Sequence, residues 1–179
     1  MVKMEKTGIV SIAIVGAEST GKTELCRTLA AHYNTVWVPE YAREYFNNSD
    51  IYNYTLSDLE IIAQRQIELE MAAAVKANGI MFCDTALITL KIWAELEFNT
   101  TPGYIQEQLI RSAHSFYLVT NNDVPWESDP QRLNKHSRNL IFEMNLEEIK
   151  KQKQNYTIVS GLGQQRTDTA IKAITKWLL

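Results

Sequence analysis

Cysteine is nearly missing from this chain. The two that occur in 179 residues, Cys26 and Cys83, stand far apart and show no C-x-x-C or other ligand spacing, so both are expected to be reduced core thiols. Histidine is also sparse. His32, His114 and His136 have no zinc-type spacing and are expected at the surface or at helix ends. The first residues, Met1 to Thr7, carry charge with no leader-cleavage pattern behind them, and no apolar run is long enough to span a bilayer. A cytoplasmic protein without membrane contact is the expectation. A formal charge of −3 supplies no field for nucleic acid, and Lys150-Lys151-Gln152-Lys153 reads as a solvated helix end. No repeat, low-complexity tract or linker breaks the chain, and hydrophobic residues at 45% suffice for one well-filled core. One domain over residues 1–179 is therefore expected.

What the sequence does have is alternation. Short apolar runs near residues 8–15, 34–38, 79–83, 115–120 and 156–160 are separated by 3.6-residue periodicity near 22–33, 40–47, 56–77, 86–97, 103–113, 138–153 and 166–178. That is the pattern of an α/β fold, a parallel sheet covered by helices on both faces. In the longest helix, Leu59, Ile62, Ala63, Gln66, Ile67, Met71 and Ala74 form one stripe, with Glu60, Arg65, Glu68 and Glu70 off it. Ser57 with Glu60 three residues on reads as its capping box. Residues 121–137 are turn-rich and hold Pro125 and Pro130, so they read as a mobile loop over a site.

The first strand run feeds directly into Gly16-Ala17-Glu18-Ser19-Thr20-Gly21-Lys22-Thr23, which matches G-x-x-x-x-G-K-[ST]. In this strand–loop–helix setting the glycines let the backbone curl so that its N–H groups line a concave surface for phosphate oxygens. The helix starting at Lys22 adds its positive dipole end. Lys22 then serves the β- and γ-phosphates and the Thr23 hydroxyl serves Mg²⁺. ATP and Mg²⁺ are the expected cofactors.

Ligands of such sheets sit at the carboxyl ends of the strands, so the residues just after each strand come next. Asp84, after Ile80-Met81-Phe82-Cys83, stands where a Walker-B carboxylate holds Mg²⁺; it also suits an N-cap for a helix beginning near Ala86. After the second strand, Glu40, Arg43 and Glu44 share a helix face in Pro39-Glu40-Tyr41-Ala42-Arg43-Glu44-Tyr45. That face suits either a surface ion-pair cluster around Arg43 or a substrate site. In the second case Glu40 is the carboxylate that positions an alcohol and takes its proton during phosphoryl transfer. Arg132 and Arg138 each offer a guanidinium for charge developing on the transferred group, and the Arg132 loop carries Trp126 and Asp129. Gly161-Leu162-Gly163-Gln164-Gln165-Arg166 follows the last strand and offers its backbone to adenine.

With these residues placed, the chain resembles the ribosylnicotinamide kinase domain of bacterial NadR-type proteins of NAD synthesis. The resemblance spans about Gly8 to Leu178. It rests on Gly16 to Thr23, on Trp37-Val38-Pro39-Glu40-Tyr41-Ala42-Arg43-Glu44, on Phe82-Cys83-Asp84-Thr85, and on Asn122-Asp123-Val124-Pro125-Trp126 leading to Asp129 and Arg132. It implies a nucleoside-monophosphate-kinase-like fold with strand order 2-3-1-4-5 and a closing lid. The implied reaction is transfer of the γ-phosphate of ATP to the 5′-hydroxyl of nicotinamide riboside. The cationic ring of that small-molecule substrate suits aromatic faces and carboxylates such as Tyr41, Tyr45, Trp93, Glu40 and Glu44.

The chain departs from that family in two ways. The resemblance does not extend to the adenylyltransferase and DNA-binding parts of larger members, so a second enzymatic or repressor role is not expected, and Ala86 stands where some members carry a further acid after the Walker-B aspartate. Two alternatives stay open: a kinase of another nucleoside or small alcohol, and a nucleotide-operated regulatory ATPase. Against the latter, no Asp-Glu pair ends the third strand, and Asn134-Lys135-His136-Ser137 lacks the aspartate of N-K-x-D. Self-association into a homo-oligomer is left open by the sequence.

Overall fold

The structure, a computed structural model, describes residues 8–47 and 49–179. Five strands, β1 (Val10–Val15), β2 (Trp37–Val38), β3 (Ile80–Asp84), β4 (Phe116–Thr120) and β5 (Tyr156–Val159), form one sheet. All pairings are parallel, in the order β2-β3-β1-β4-β5. Every connection between neighbours is thus a crossover, which is why helices cover both faces. They are α1 (Lys22–His32), α2 (Tyr41–Phe46), α3 (Leu56–Ala74), α4 (Leu87–Phe98), α5 (Gly103–Arg111), α6 (Arg138–Lys151) and α7 (Gln164–Leu178). Among the described residues, no helix is long and apolar enough to cross a membrane.

Strand alternation decides which helix goes where. Ile12 and Ile14 of β1, Phe82 and Leu118 meet Leu25 and Leu29 of α1 and Ala170 and Ile174 of α7. On the other face Ala13, Val15, Tyr117 and Val119 meet Leu59 and Ile62 of α3, Ile88 and Ile92 of α4 and Ile149 of α6. Each fully buried aliphatic side chain contributes about 1.5–3 kcal/mol, so the two faces together hold the sheet rigid beneath its tips. The register sets Ile14 beside Asp84 and Val15 beside Val119, so the ends of β1, β3 and β4 lie level.

Four local expectations are corrected. The second strand shrinks to Trp37–Val38 because Asn34 turns the chain at φ +49° and the strand lies at the sheet edge, paired only with β3. The capping box of α3 is Thr55 with Asp58, not Ser57 with Glu60: Thr55 accepts the Asp58 N–H, and Asp58 accepts the Thr55 N–H at 2.7 Å, which moves the cap two residues earlier. The buried stripe of α3 takes in Glu70, 2% exposed, and leaves Met71 out at 54%. Burial follows the i+4 row Leu59, Ala63 with Ile62, Gln66, Glu70 and Ala74, and Glu70 is tolerated there because Gln66 donates to it. His114, expected at the surface, is buried, with Nδ1 2.8 Å from Ser11 Oγ. Cys26 and Cys83 are buried and free, as expected.

Candidate active site

The loop after β1 bends at Gly16 (φ +140°), Ser19 (φ +55°) and Gly21 (φ +73°). Gly16 is held by contact as well as by conformation: a Cβ there would lie 2.4 Å from Thr120 Oγ1 and 2.8 Å from the Thr120 carbonyl oxygen. This clips the loop against the tip of β4. Gly21 is the N-cap of α1, and no side chain caps that helix, so its first N–H groups face the loop's concavity. Lys22 Nζ donates to the carbonyls of Gly16 (3.1 Å) and Ala17 (2.7 Å). Burial pulls its pKa below the usual lysine value, while Glu40, Asp84 and Glu18 act in the opposite sense.

Asp84 ends β3 and is 1% exposed. Its Oδ2 accepts from Thr23 Oγ1 at 2.5 Å, and its Oδ1 is buried with no hydrogen-bond partner. Burial raises its pKa; Lys22 and the Thr23 bond work against that rise. It does not cap the following helix. Ala86 is the N-cap of α4, while Thr85, at φ +81°, donates its N–H to the Ile14 carbonyl at 3.0 Å and turns the chain away. An orphaned carboxylate oxygen beside a threonine hydroxyl, both hard oxygen donors, fits a magnesium ion well.

Glu40 occupies the N-cap position of α2 but makes no capping bond. Its carboxylate, 13% exposed, lies 3.4 Å from Arg43 Nε and lines the same cleft as Lys22. Burial, then Asp84, raises its pKa, and Lys22 and Arg43 hold the rise in check. Arg43 Nη1 donates to Asp129 Oδ2 at 3.1 Å, which joins α2 to the 121–137 segment.

That segment grips the loop after β1 at several points. Ser19 Oγ accepts the Glu127 N–H at 2.8 Å, and Glu18 accepts from Asn134 N and Nδ2 at 2.9 and 3.0 Å. The two arginines divide. Arg132 lines the cleft and donates to the Glu127 carbonyl at 2.7 Å, whereas Arg138 Nη2 spends its hydrogens on the carbonyls of Ser19 (3.1 Å) and Val124 (2.9 Å). Arg138 sits 6.0 Å above the Trp126 ring, and neither residue is part of the cleft wall.

The cleft encloses about 320 Å³. Gly16, Glu18, Ser19, Thr20, Gly21, Lys22 and Thr23 line it together with Glu40, Arg43 and Arg132; Ala17, Asp84 and Gly161 do not. Trp93 of α4 joins Phe46, Ile51 and Ile141 in an apolar part. Tyr41 and Glu44 are not brought there. Tyr41 packs against the hydrophobic core, and Glu44 is exposed, because only every third or fourth residue of so short a helix can point into one cleft. Tyr45 is likewise committed elsewhere, its hydroxyl 2.5 Å from Asp58 Oδ1.

Two polar side chains are given no role by sequence reasoning. Thr89, the polar member of an otherwise apolar turn of α4, lines the cleft with its buried Oγ1 unpartnered. Arg166, 4% exposed, donates to the carbonyls of Gly161 (2.8 Å), Thr20 (2.5 Å) and Asn121 (3.2 Å) and pairs with Asp123, which also accepts the Gly161 N–H at 2.6 Å. A cation in the first turn of α7 opposes the helix dipole, and that mismatch was its one signal.

Known proteins give the same picture of the fold. A family model described as an AAA domain matches residues 11–166. The chain is 27% identical over 159 residues to the trifunctional NAD biosynthesis/regulator protein NadR of Escherichia coli (strain K12), covering 82% of this chain and 39% of that protein. It is 28% identical over 143 residues to the NadR of Salmonella typhimurium (strain LT2), covering 75% and 35%. It therefore spans less than half the length of these curated relatives. A NadR protein in complex with NR superposes with TM-score 0.77 at 23% identity over 94% of this chain and 50% of that one. A NadR protein in complex with NAD and AMP-PNP gives 0.75 at 24%, over 94% and 49%. Thymidylate kinase from Ehrlichia chaffeensis gives 0.63 at 12%, over 95% and 99%. These structural likenesses show a P-loop kinase fold.

Proposed function

We propose, from the premise that this chain belongs to the AAA domain family, that it is an ATP-dependent kinase transferring a phosphoryl group to the 5′-hydroxyl of nicotinamide riboside. The observation that carries this reading is that Lys22 and Glu40 line one cleft: a phosphate-holding cation shares it with a largely buried carboxylate that makes no capping bond and is paired to Arg43 at 3.4 Å. The relatives are NAD-biosynthesis proteins, and the NadR complexes hold NR in one case and NAD with AMP-PNP in the other.

In this reading the amides of Gly16 to Thr23 cradle the triphosphate, and Lys22 exchanges its two carbonyl partners for β- and γ-phosphate oxygens. Thr23 and Asp84 hold Mg²⁺, which when bound offsets phosphate charge. The substrate hydroxyl sits against Glu40. As its oxygen bonds to the γ-phosphorus, the bond to the bridging β-oxygen breaks, ADP leaves, and the hydroxyl proton passes to Glu40. Arg132 offsets charge on the transferred group, and Arg138 with Trp126 anchors the 121–137 segment, which acts as the lid. Trp93 and its apolar neighbours receive the ring, and Gly161, fixed by Arg166 and Asp123, borders the adenine. The placement is cytoplasmic.

The test is release of ADP by the purified protein with nicotinamide riboside against a panel of other nucleosides. Selective turnover of nicotinamide riboside is the expected result. ATP binding without phosphorylation of any panel member overturns the kinase reading. Turnover of another nucleoside alone overturns the choice of acceptor. The family match also keeps a regulatory ATPase in view; slow hydrolysis indifferent to alcohols and raised by a protein partner is its distinguishing result.

A further inference from the structure

Residues 129–132 hold α2 at two points. Gln131 donates from Nε2 to the Arg43 carbonyl at 3.3 Å and to Asn47 Oδ1 at 2.9 Å. Asp129 takes the Arg43 side chain: its Oδ2 accepts from Nη1 at 3.1 Å, while its Oδ1 accepts the Gln131 N–H at 2.8 Å. The same Oδ2 lies 3.6 Å from Arg132 Nε. From α2 outward, the side chains of Glu40, Arg43, Asp129 and Arg132 therefore alternate in sign, and the first two and the last line the cleft. Asp129 is the ionised link between them. The Gln131 N–H, then Arg43 and Arg132, hold its carboxyl below the usual range against the effect of burial. One guanidinium thus serves two carboxylates, and it does not serve them equally. Its bond to Asp129 has an ordinary length, whereas its approach to Glu40, Nε to Oε2 at 3.4 Å, is longer than the roughly 2.7–3.2 Å of a normal N–H···O bond.

We infer that Asp129 is a positioning residue for Glu40: it draws the Arg43 guanidinium toward the 121–137 segment, keeps it from closing a two-bond pair on the Glu40 carboxylate, and so leaves that carboxylate open to a hydroxyl. A guanidinium offers its donors as a fork that matches a carboxylate two to two, and such a pair holds the acid ionised and covers both of its oxygens. Asp129 competes for the fork. Because Asp129 belongs to the segment that grips the loop after β1, the competition lasts only while that segment is seated; with it lifted, Arg43 keeps Glu40 as its carboxylate partner. Seating the segment therefore frees Glu40 in the same movement that brings Arg132, tied to the same Asp129 oxygen, to the cleft. Several other groups act on Glu40. Burial, Asp84 at the end of β3 and Glu18 of the loop after β1 raise its pKa, and Lys22 of α1 lowers it together with Arg43. The influence of Asp129 passes through Arg43. The kinetic part of this inference rests on the kinase reading above; the contest of two carboxylates for one guanidinium does not.

The test is Asp129→Asn, which keeps the shape and removes the charge. Expected results are a plateau kcat about 10-fold lower, with the Kd for ATP within about twofold, and an acid limb of the kcat profile moved to lower pH by about 0.5 pH unit or more, because Arg43 then closes on Glu40. Lower activity that survives to lower pH is the signature of a base held by its own cation, and a merely loosened loop would not move the limb. In an Arg43→Gln background, Asp129→Asn is expected to leave the limb within about 0.2 pH unit of where Arg43→Gln alone puts it. An unmoved limb in the single variant, or an equal movement without Arg43, overturns the inference. Carbon-13 NMR titration of the Glu40 carboxyl decides the matter independently of any acceptor. Its midpoint should fall in Asp129→Asn and hold still when the same change is made beside Arg43→Gln. An unmoved midpoint in the single variant overturns the inference even if the protein phosphorylates nothing. Absence of turnover in the parent, with the midpoint moving as expected, sinks only the kinase reading.

Discussion

Two buried polar clusters lie on one sheet and obey opposite rules. At the strand tips, Lys22, Glu40 and Thr89 line a cleft with Asp84 buried behind Thr23, and Asp84 Oδ1 and Thr89 Oγ1 have no partner. Deep on the α3 face, Ser11, Gln66, Glu70 and His114 are closed in and engaged with one another. Unsatisfied buried polar atoms cost about 1–3 kcal/mol each, a cost the second cluster avoids and the first accepts. The difference marks where a ligand belongs. Charge follows the same division: the tip cluster mixes both signs within reach of solvent, whereas burial favours the neutral forms of both Glu70, raised to about 7, and His114, lowered to about 4.

The sharpest way to break the contrast is Glu40→Gln, expected to cut kcat by about 10²–10⁴ with ATP affinity nearly intact. Equal loss in a titration of ATP binding would move Glu40 out of the base role. Next comes Lys22→Ala, which should lower kcat/KM by about 10²–10³ and weaken ATP binding as well, since its charge serves both ground and transition states. Isothermal titration with ATP checks the binding half.

Substituting Arg43 tests the electrostatics of the same cluster. The base must be ionised to act, and burial sets its pKa above the ordinary carboxylate range, so kcat should fall as pH drops through that raised value. Arg43 lowers the Glu40 pKa, so Arg43→Gln should move the acid limb of the kcat profile to higher pH. An unmoved limb would mean that the pair seen at 3.4 Å is dispersed in solution.

The rear cluster is sharpened by its stability rather than its activity. Glu70, raised in the folded state to about 7, favours the fold at low pH and loses that contribution as pH rises through about 7. His114, depressed to about 4, favours the fold above its unfolded value and loses that contribution as pH falls toward about 4. Between about pH 4.5 and 6.5 the two slopes oppose and cancel. Glu70→Gln removes one of them, so stability should then rise with pH across that window, by up to about 1.4 kcal/mol per pH unit. Urea melts at several pH values measure it, and a slope equal to the parent's would refute the neutral pairing. The smallest effect expected is from Thr55→Ala, about 1 kcal/mol of stability with unchanged kinetics, because that cap lies far from either cluster.

How much of each cluster could be read from sequence follows from how local its cause is. The loop after β1 is eight consecutive residues whose function is set by their own backbone, and Asp84 is announced by the strand it ends. Glu40 was legible for the same reason. The parallel sheet and its helices follow from periodicity, which is a property of each segment alone. The rear cluster has no local signature: Ser11 and His114 meet across 103 residues, and Glu70 looked like one more acid on the wet side of a helix. The capping box shifted because Thr55-x-x-Asp58 and Ser57-x-x-Glu60 overlap, and only the packed helix start chooses between them. Tyr41 and Glu44 were grouped with Glu40 by spacing, but a six-residue helix turns only one of its sides to the cleft.

Arg166 has a consequence for the order in which the protein is made. The loop from Gly16 to Thr23 leaves the ribosome well before α7 does, yet the guanidinium that grips the Thr20 carbonyl belongs to α7. Until α7 is synthesised and docks, the same carbonyl lacks its buried donor, and Asn121 and Asp123 after β4 lack their bonds from Arg166. A nascent chain therefore carries the whole phosphate motif long before it carries a rigid one, and nucleotide-dependent protection during translation should switch on only as α7 emerges.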